Sequence, residues 1–390
     1  MLTIRFLGNG LLYLQGFLLF SCLISLLYYG LAGYAAIAFF RAGLTENSDE
    51  FQPPVTVLKP LCGNDWEGYD CLASFCQQDY PTYQIIFCVQ EETDPSVALV
   101  QKLQASFPQV EIILAIGQPN LGINPKINNL ANALPQIRHD FLVIADSDIK
   151  VTPDYLKTIL KPFQNPDIGV VTCLYRSVTQ GWLAGFESLE IATTFVPKIL
   201  TARLLEGMNF AFGSTIALRR EVFDKIGGLA RMANHLADDY QLGHLPVVAG
   251  YQGFLSSYVV EHHLGQVTLS EMLARQIRWQ KCVRVERFWG YLGLFFTQGT
   301  VLSTFLLILT QASLLGWGVL LTLWLARYFT VYITAIALLQ DATAKQFWLW
   351  TPLRDFLSFG IWCYSFGGDR ITWRGKTYQL LPNGQLTPLP

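Results

Sequence analysis

Carboxylates set close together in a chain can share a cation or move a proton, and three such groups in this sequence follow apolar or helical runs. The sharpest is Asp146-Ser147-Asp148, which follows the apolar run Phe141-Leu142-Val143-Ile144-Ala145 without a break. Two carboxylates one residue apart at a strand end can hold a divalent cation, Mg2+ or Mn2+, and leave coordination positions for diphosphate oxygens. An Asx turn closing the strand would use the same residues. The second group, Asp238-Asp239, follows Gly227-Gly228 and a helical stretch. Asp239 is placed to take a proton from an attacking hydroxyl, and a pair of aspartates complementing a helix start is the structural alternative. The third group, Glu91-Glu92-Thr93-Asp94, comes directly after the apolar run 85–89. There Glu91 or Asp94 could hold a base or ribose, although a solvated turn has the same composition.

Downstream lies Arg275-Gln276-Ile277-Arg278-Trp279, on a segment of helical periodicity. Residues three apart share a helix face, so Arg275 and Arg278 can point together at phosphates while Trp279 offers a flat wall to a sugar or an acceptor. A basic amphipathic helix lying on anionic lipid is the alternative. His139, His235, His244, His262 and His263 show neither HExxH nor paired ligand spacing and read as structural or surface positions. Glu261 and His262 follow the strand-like stretch 254–260 and could line a site. The eight cysteines form no CxxC pair, so neither a zinc ribbon nor a disulfide framework is indicated and a reducing, cytoplasmic compartment fits.

Positioning such groups requires an ordered scaffold, and residues 54–144 supply its pattern. Short β-branched runs at 55–58, 85–89, 110–115 and 141–144 alternate with helical stretches at 69–77, 96–107 and 126–134. That alternation implies an α/β fold with a mostly parallel sheet covered by helices, in which ligands collect beyond the carboxyl ends of the strands. The acidic groups sit at those ends.

The composition, 52% hydrophobic and only 14% charged, is too oily for an ordinary soluble enzyme. A net charge of −2 gives no reason to expect a nucleic-acid partner. Residues 11–40 and 291–325 contain no charge at all. The first run exceeds the roughly 20 residues needed to cross a bilayer and is too long for a signal-peptide core. Residues 291–339 are long enough for a two-helix hairpin turning near 311–316. The stretch 347–366 carries Arg354 and Asp355 near its middle, where lipid burial is costly, and reads as interfacial or re-entrant. The apolar segment 186–205, with Lys198 and Arg203, reads as one that dips into the headgroup layer. Most Lys and Arg lie between the first and second spans, which places the central domain on the cytoplasmic face, with Arg370, Arg374 and Lys376 in a cytoplasmic tail. The expected organisation is a transmembrane helix at 1–45, an α/β domain with interfacial helices at 53–288, a transmembrane hairpin at 289–340 and an interfacial or re-entrant segment with a cytoplasmic tail at 341–390.

The order acidic turn, Asp146-Ser147-Asp148, Asp238-Asp239-Tyr240, Arg275-Gln276-Ile277-Arg278-Trp279, within an α/β domain flanked by spans, resembles the membrane-bound inverting GT-A glycosyltransferases and, among them, the ceramide glucosyltransferase family. More particular strings are Leu58-Lys59-Pro60-Leu61, Cys88-Val89-Gln90 and Gly122-Ile123-Asn124-Pro125-Lys126-Ile127-Asn128-Asn129-Leu130. The likeness covers nearly the whole chain. It implies a UDP-sugar donor and a membrane lipid acceptor at the bilayer, with Asp94 or Glu91 as the first acidic position. It further implies Asp146 against nucleotide and metal, Lys126 near the nucleotide, Asp239 as base, and Arg275, Arg278 and Trp279 in the closing motif. Animal-type ceramide enzymes carry a histidine where this chain has Phe195-Val196-Pro197. In that respect the chain is closer to the related bacterial hopanoid-biosynthesis glycosyltransferases. A diacylglycerol acceptor and a processive polysaccharide synthase, which shares the acidic series, are further readings.

Overall fold

The computed structural model describes residues 2–42, 51–373 and 375–389, so Arg374 and the end of the first expected domain lie outside the described residues. The chain divides into two compact units whose boundaries cross the sequence several times. One is helical and takes in the N-terminal helix, Trp182–Leu204 and Thr268–Asp369; the other is α/β and takes in the stretch ending at Gly181, Leu205–Val267 and the C-terminal residues from Arg370. Within the interval 53–288, expected to hold the α/β domain together with interfacial helices, Trp182–Leu204 and the residues from Thr268 group with the helical unit, and the tail from Arg370 groups with the α/β unit.

In the α/β unit, β1 (Val55–Pro60), β2 (Tyr83–Val89), β3 (Glu111–Ile116), β4 (Phe141–Ile144), β5 (Ile149–Lys150), β6 (Ile168–Thr179), β7 (Ile216–Arg219) and β8 (Gln252–Leu264) form one sheet, ordered β3-β2-β1-β4-β7-β6-β8-β5. The pairs β1–β2, β2–β3, β1–β4 and β6–β8 are parallel, whereas β7 runs antiparallel to both β4 and β6. Alternate residues serve opposite faces: Val55, Val57, Ile85 and Phe87 enter one apolar core, while Leu58, Ile86, Cys88, Leu142 and Ile144 enter the other. Both faces are covered by helices, which is why these strands read as unbroken apolar runs rather than as alternation.

The strand order reverses between β1 and β4, the place where open α/β sheets take ligands. Because β7 runs against β4, with Ile216 opposite Ile144, the residues preceding β7 fold across the carboxyl end of β4. A second sheet of β9 (Arg370–Trp373), β10 (Lys376–Leu380) and β11 (Leu386–Pro388), ordered β11-β10-β9, is built from what the sequence presents as a tail.

In the helical unit, Gly10–Ala42 and Leu314–Leu338 are long and apolar enough to cross a membrane among the described residues. The first leg of the expected hairpin is different: Gly299–Leu309 spans roughly 16 Å at 1.5 Å per residue, short of a hydrocarbon core. It joins Phe288–Thr297 at a 57° bend, and only together could the two make a third span. The bend falls where Gly299 lies against the N-terminal helix, since a Cβ there would stand 2.8 Å from Tyr29 Oη. Leu18, Cys22, Tyr29, Leu302, Leu306 and Leu323 pack together across these helices. The stretch expected to be interfacial forms the helix Thr351–Ser365, and Arg354 and Asp355 are both buried in it. Asp355 is matched by Arg327, whose Nε and Nη2 donate to its Oδ2 and Oδ1 at 3.0 and 2.7 Å.

Candidate active site

Asp146 follows β4, and its Oδ1 lies 2.7 Å from Lys126 Nζ. The same ammonium stands 3.4 Å from Asp238 Oδ2. Lys126 reaches this point from the helix Pro125–Ala131, whose start is fixed by Asn124: its Oδ1 accepts the amides of Lys126 and Ile127, and Pro125 occupies the first turn. Asn124 is fully buried, and its Nδ2 also donates to the His235 carbonyl at 2.9 Å and to Asp238 Oδ1 at 3.2 Å. Asn128 holds the preceding loop by accepting the Leu121 and Gly122 amides, and Asn129 donates to the Leu61 carbonyl at the end of β1. The long string around Pro125 is thus a frame that delivers one ammonium between two acidic groups.

Gly213 ties those groups together. Its carbonyl accepts the Asp146 amide at 3.0 Å, and its own amide donates to Asp239 Oδ2 at 3.2 Å. A Cβ at this position would stand 2.4 Å from Asp146 Oδ2 and 3.0 Å from Lys126 Nζ, so the approach requires glycine. Asp239 Oδ1 accepts the Tyr240 amide at 2.8 Å, in the first turn of the helix Asp238–Val248. Beneath Asp146, the fully buried Lys59 of β1 donates from Nζ to the Asp146 carbonyl at 2.5 Å. Asp148 meets His262 on the other side, with Nε2 3.3 Å from Oδ2, because Ile149 of β5 pairs with His262 of β8.

Too many carboxylates crowd one ammonium, and their proton affinities follow. Burial and the neighbouring Asp238 push Asp239 up to about 6, against the opposing pull of Lys126. Asp146 is also raised, by burial above all and then by Asp148, with Lys126 opposing. Burial would by itself strip Lys126 of its proton, but Asp146, Asp238 and Asp239 hold its ammonium well above the usual lysine range. Asp148 is the exception: burial is overcome by His262 and Lys59, and its carboxyl lies below the usual range. Lys59, buried with less compensation, is lowered to about 8.

An unbalanced set of carboxylates with an imidazole at its edge suits Mg2+ or Mn2+ by ligand type. Among the described residues no three His, Cys, Asp or Glu side chains converge to enclose an ion. A cation here would take its protein oxygens from Asp146 and Asp148 and complete its shell with substrate oxygens and water.

The remaining candidates are placed differently. Asp94 accepts the Gly63 amide at 3.1 Å and both the amide and hydroxyl of Ser96, so its carboxylate fastens the loop after β1. Glu91 is exposed, with Oε1 accepting from Gln118 Nε2. Both follow β2, two strands from β4 and so roughly 10 Å away across the sheet. Arg275, Arg278 and Trp279 lie in the helical unit, on the helix Leu269–Glu286. Arg275, expected at phosphates, directs Nε and Nη2 at the buried Glu187 at 2.8 and 3.0 Å. Trp279 is 39% exposed.

The model for glycosyl transferase family 21 matches residues 17–386. The chain belongs to that family. Relatives of similar sequence include ceramide glucosyltransferase 3 of Caenorhabditis elegans, 25% identical over 87% of this chain and 75% of the relative. The ceramide glucosyltransferase of Candida albicans is 35% identical over a shorter stretch, 28% of this chain and 23% of the relative. In fold the chain is similar to a mannosyltransferase from Pyrobaculum calidifontis solved with GDP-Man and Mn2+, with a TM-score of 0.51 and 18% identity over 89% of this chain and 98% of that one. The family's glycosyltransferase activity thus falls on a GT-A-like α/β unit.

Sequence reasoning passed over Gly213, and it allowed His262 to line a site without giving it a task. Gly213 belongs to no motif, and its role arises only from β7 running against β4. His262 could have been reached through register, since a strand crossing the DSD turn brings alternate residues to it.

Proposed function

We propose that this protein is an inverting, divalent-cation-dependent glycosyltransferase that moves a hexose from a UDP-sugar to the hydroxyl of a membrane lipid. The observation that carries the reading is the junction at Gly213, where one residue's backbone bonds both Asp239 and Asp146, the partner of Lys126, at the strand-order reversal. Two membrane-length helices and relatives named ceramide glucosyltransferase support a ceramide-like acceptor and glucose as the sugar. The distribution of Lys and Arg supports a cytoplasmic active site.

In this reading the nucleotide lies across the ends of β2, β1 and β4, with its diphosphate toward Asp146 and Asp148. A bound Mg2+ or Mn2+ would neutralise charge on the departing diphosphate. Asp239 accepts the proton of the acceptor hydroxyl as its oxygen attacks the anomeric carbon, and the bond to the diphosphate breaks with its electron pair leaving on phosphate oxygen. The configuration inverts. A base raised to about 6 is largely ionised at neutral pH yet basic enough to take that proton. Lys126 stays charged throughout and keeps Asp146 and Asp238 in place. On the helix Leu269–Glu286 the bond from Arg275 to Glu187 favours a framework role for that arginine.

Membranes containing the protein, incubated with labelled UDP-glucose or UDP-N-acetylglucosamine and with ceramide, diacylglycerol or a hopanoid polyol, are expected to yield a glucosylated ceramide by mass spectrometry. The reaction should stop in EDTA and resume with Mn2+. A product only from the amino-sugar and the polyol would move the chain to the hopanoid reading, and a polymer would replace lipid transfer by chain synthesis.

A further inference from the structure

The C-terminal sheet ends in a tight turn, Leu381-Pro382-Asn383-Gly384-Gln385, closed by the Leu381 amide on the Gln385 carbonyl at 2.8 Å and opened to the left-handed region at Gly384, φ +80°. This turn faces another part of the α/β unit. The Leu236 amide donates to the Gly384 carbonyl at 3.1 Å, and the Leu386 amide donates to the Asn234 carbonyl at 2.8 Å. His235 and Gln385 therefore pair as an antiparallel bridge. Leu236, Ala237, Leu380 and Leu386 are all buried.

The segment so paired leads directly into Asp238 and Asp239. On its other side it is held by the string that carries Lys126: the Asn124 amide donates to the Ala233 carbonyl, the Ile123 amide to Asn234 Oδ1, and Asn124 Nδ2 to the His235 carbonyl. Residues 233–237 thus turn out of the preceding helix and run to Asp238 with partners on both sides, one side supplied by the lysine-bearing frame and the other by the C-terminal hairpin turn. A segment held on one side only is free to shift its far end, and displacements of about 1 Å at a reacting centre can cost about 10²-fold in rate.

We propose that the C-terminal hairpin turn, through the backbone groups of Gly384 and Leu386, is a positioning element that holds Asp239 at its working distance from the acceptor hydroxyl. The idea rests on the reading of Asp239 as the base. The tail acts through that carboxylate and touches no substrate itself.

The test uses the full-length enzyme in lipid nanodiscs alongside two altered forms, Leu386→Pro, which removes the donated amide, and a chain ending at Leu380. The exposed Thr387→Ala serves as the control and keeps full activity. Both altered forms are expected to lose about 10- to 100-fold in kcat, with the KM for the UDP-sugar and the Kd for UDP changing less than about twofold. Unchanged kcat in a folded Leu386→Pro protein would overturn the proposal. So would a parallel loss of kcat, UDP affinity and thermal midpoint, which marks a tail needed only for folding. Asp239→Asn is assayed in the same series: if it keeps substantial turnover, the base assignment fails, whereas an inactive Asp239→Asn beside fully active tail variants defeats the positioning role alone.

Discussion

In the helical unit Arg327 meets Asp355 with two hydrogen bonds, and Arg275 meets Glu187 in the same way, whereas in the α/β unit Asp146 and Asp238 both pair with the ammonium of Lys126 and Asp239 lies within its field. The first arrangement is closed. Thr300 donates to Asp355, and Arg327 also donates to the Thr193 carbonyl, so each charge is neutralised and its hydrogen-bonding capacity used. The second is open, with carboxylates in excess and proton affinities pulled apart. Buried charge that balances is evidence of a framework, and buried charge that does not balance waits for a cation, a proton or a substrate.

The comparison breaks most visibly at Asp239. Replacing it by asparagine removes the base and should lower kcat by about 10³-fold, with UDP binding by calorimetry nearly unchanged. Substantial residual turnover would make the open cluster another framework. Next comes the closed pair: Arg327→Met leaves Asp355 buried and uncompensated and should cost about 3–5 kcal/mol of stability, while Arg327→Met combined with Asp355→Leu should recover most of it. Thermal unfolding in detergent measures both, and a double variant no better than the single would show that the pair is more than mutual compensation. Gly213→Ala tests the join within the open cluster. Its new Cβ must push the Asp146 carboxylate aside, and a loss of about 10²-fold in kcat/KM is expected. A variant as active as the parent would place the working geometry elsewhere.

Much of the α/β unit was legible because its strands are buried on both faces and its turns are acidic, so the alternation of apolar runs and helical stretches located β1 to β4 to within a few residues. Partners from far along the chain were not legible. Arg354 and Asp355 read as a penalty against membrane burial, since the arginine that matches Asp355 lies on another helix. Arg275 read as a phosphate ligand because its helix face was visible and Glu187 was not. The string from Asn124 to Leu130 stood out as a pattern, but the sequence could not separate Lys126, which enters the cluster, from Asn128 and Asn129, which bind backbone. Local periodicity gives the element; the antiparallel entry of β7 and the return of the tail decide what meets at its end.

The smallest expected effect concerns stability and carries a definite sign. Asp239 has its folded-state pKa raised from 3.8 to about 6, so as pH climbs between those values the unfolded chain gives up a proton that the folded chain retains. The unfolded state then binds fewer protons, and stability falls through that window and stays lower above it. Asparagine carries no such penalty. Asp239→Asn should therefore unfold at a higher temperature than the parent at pH 7.5, by an amount corresponding to about 1–3 kcal/mol, and the advantage should vanish near pH 4. Paired melting curves at the two pH values decide it. An inactive variant that gains stability only at the higher pH is what an open cluster requires, because the charge that serves the reaction is the charge the fold would shed; equal midpoints at both values would mean that Lys126 already balances Asp239 and that the contrast between the two units is one of geometry alone.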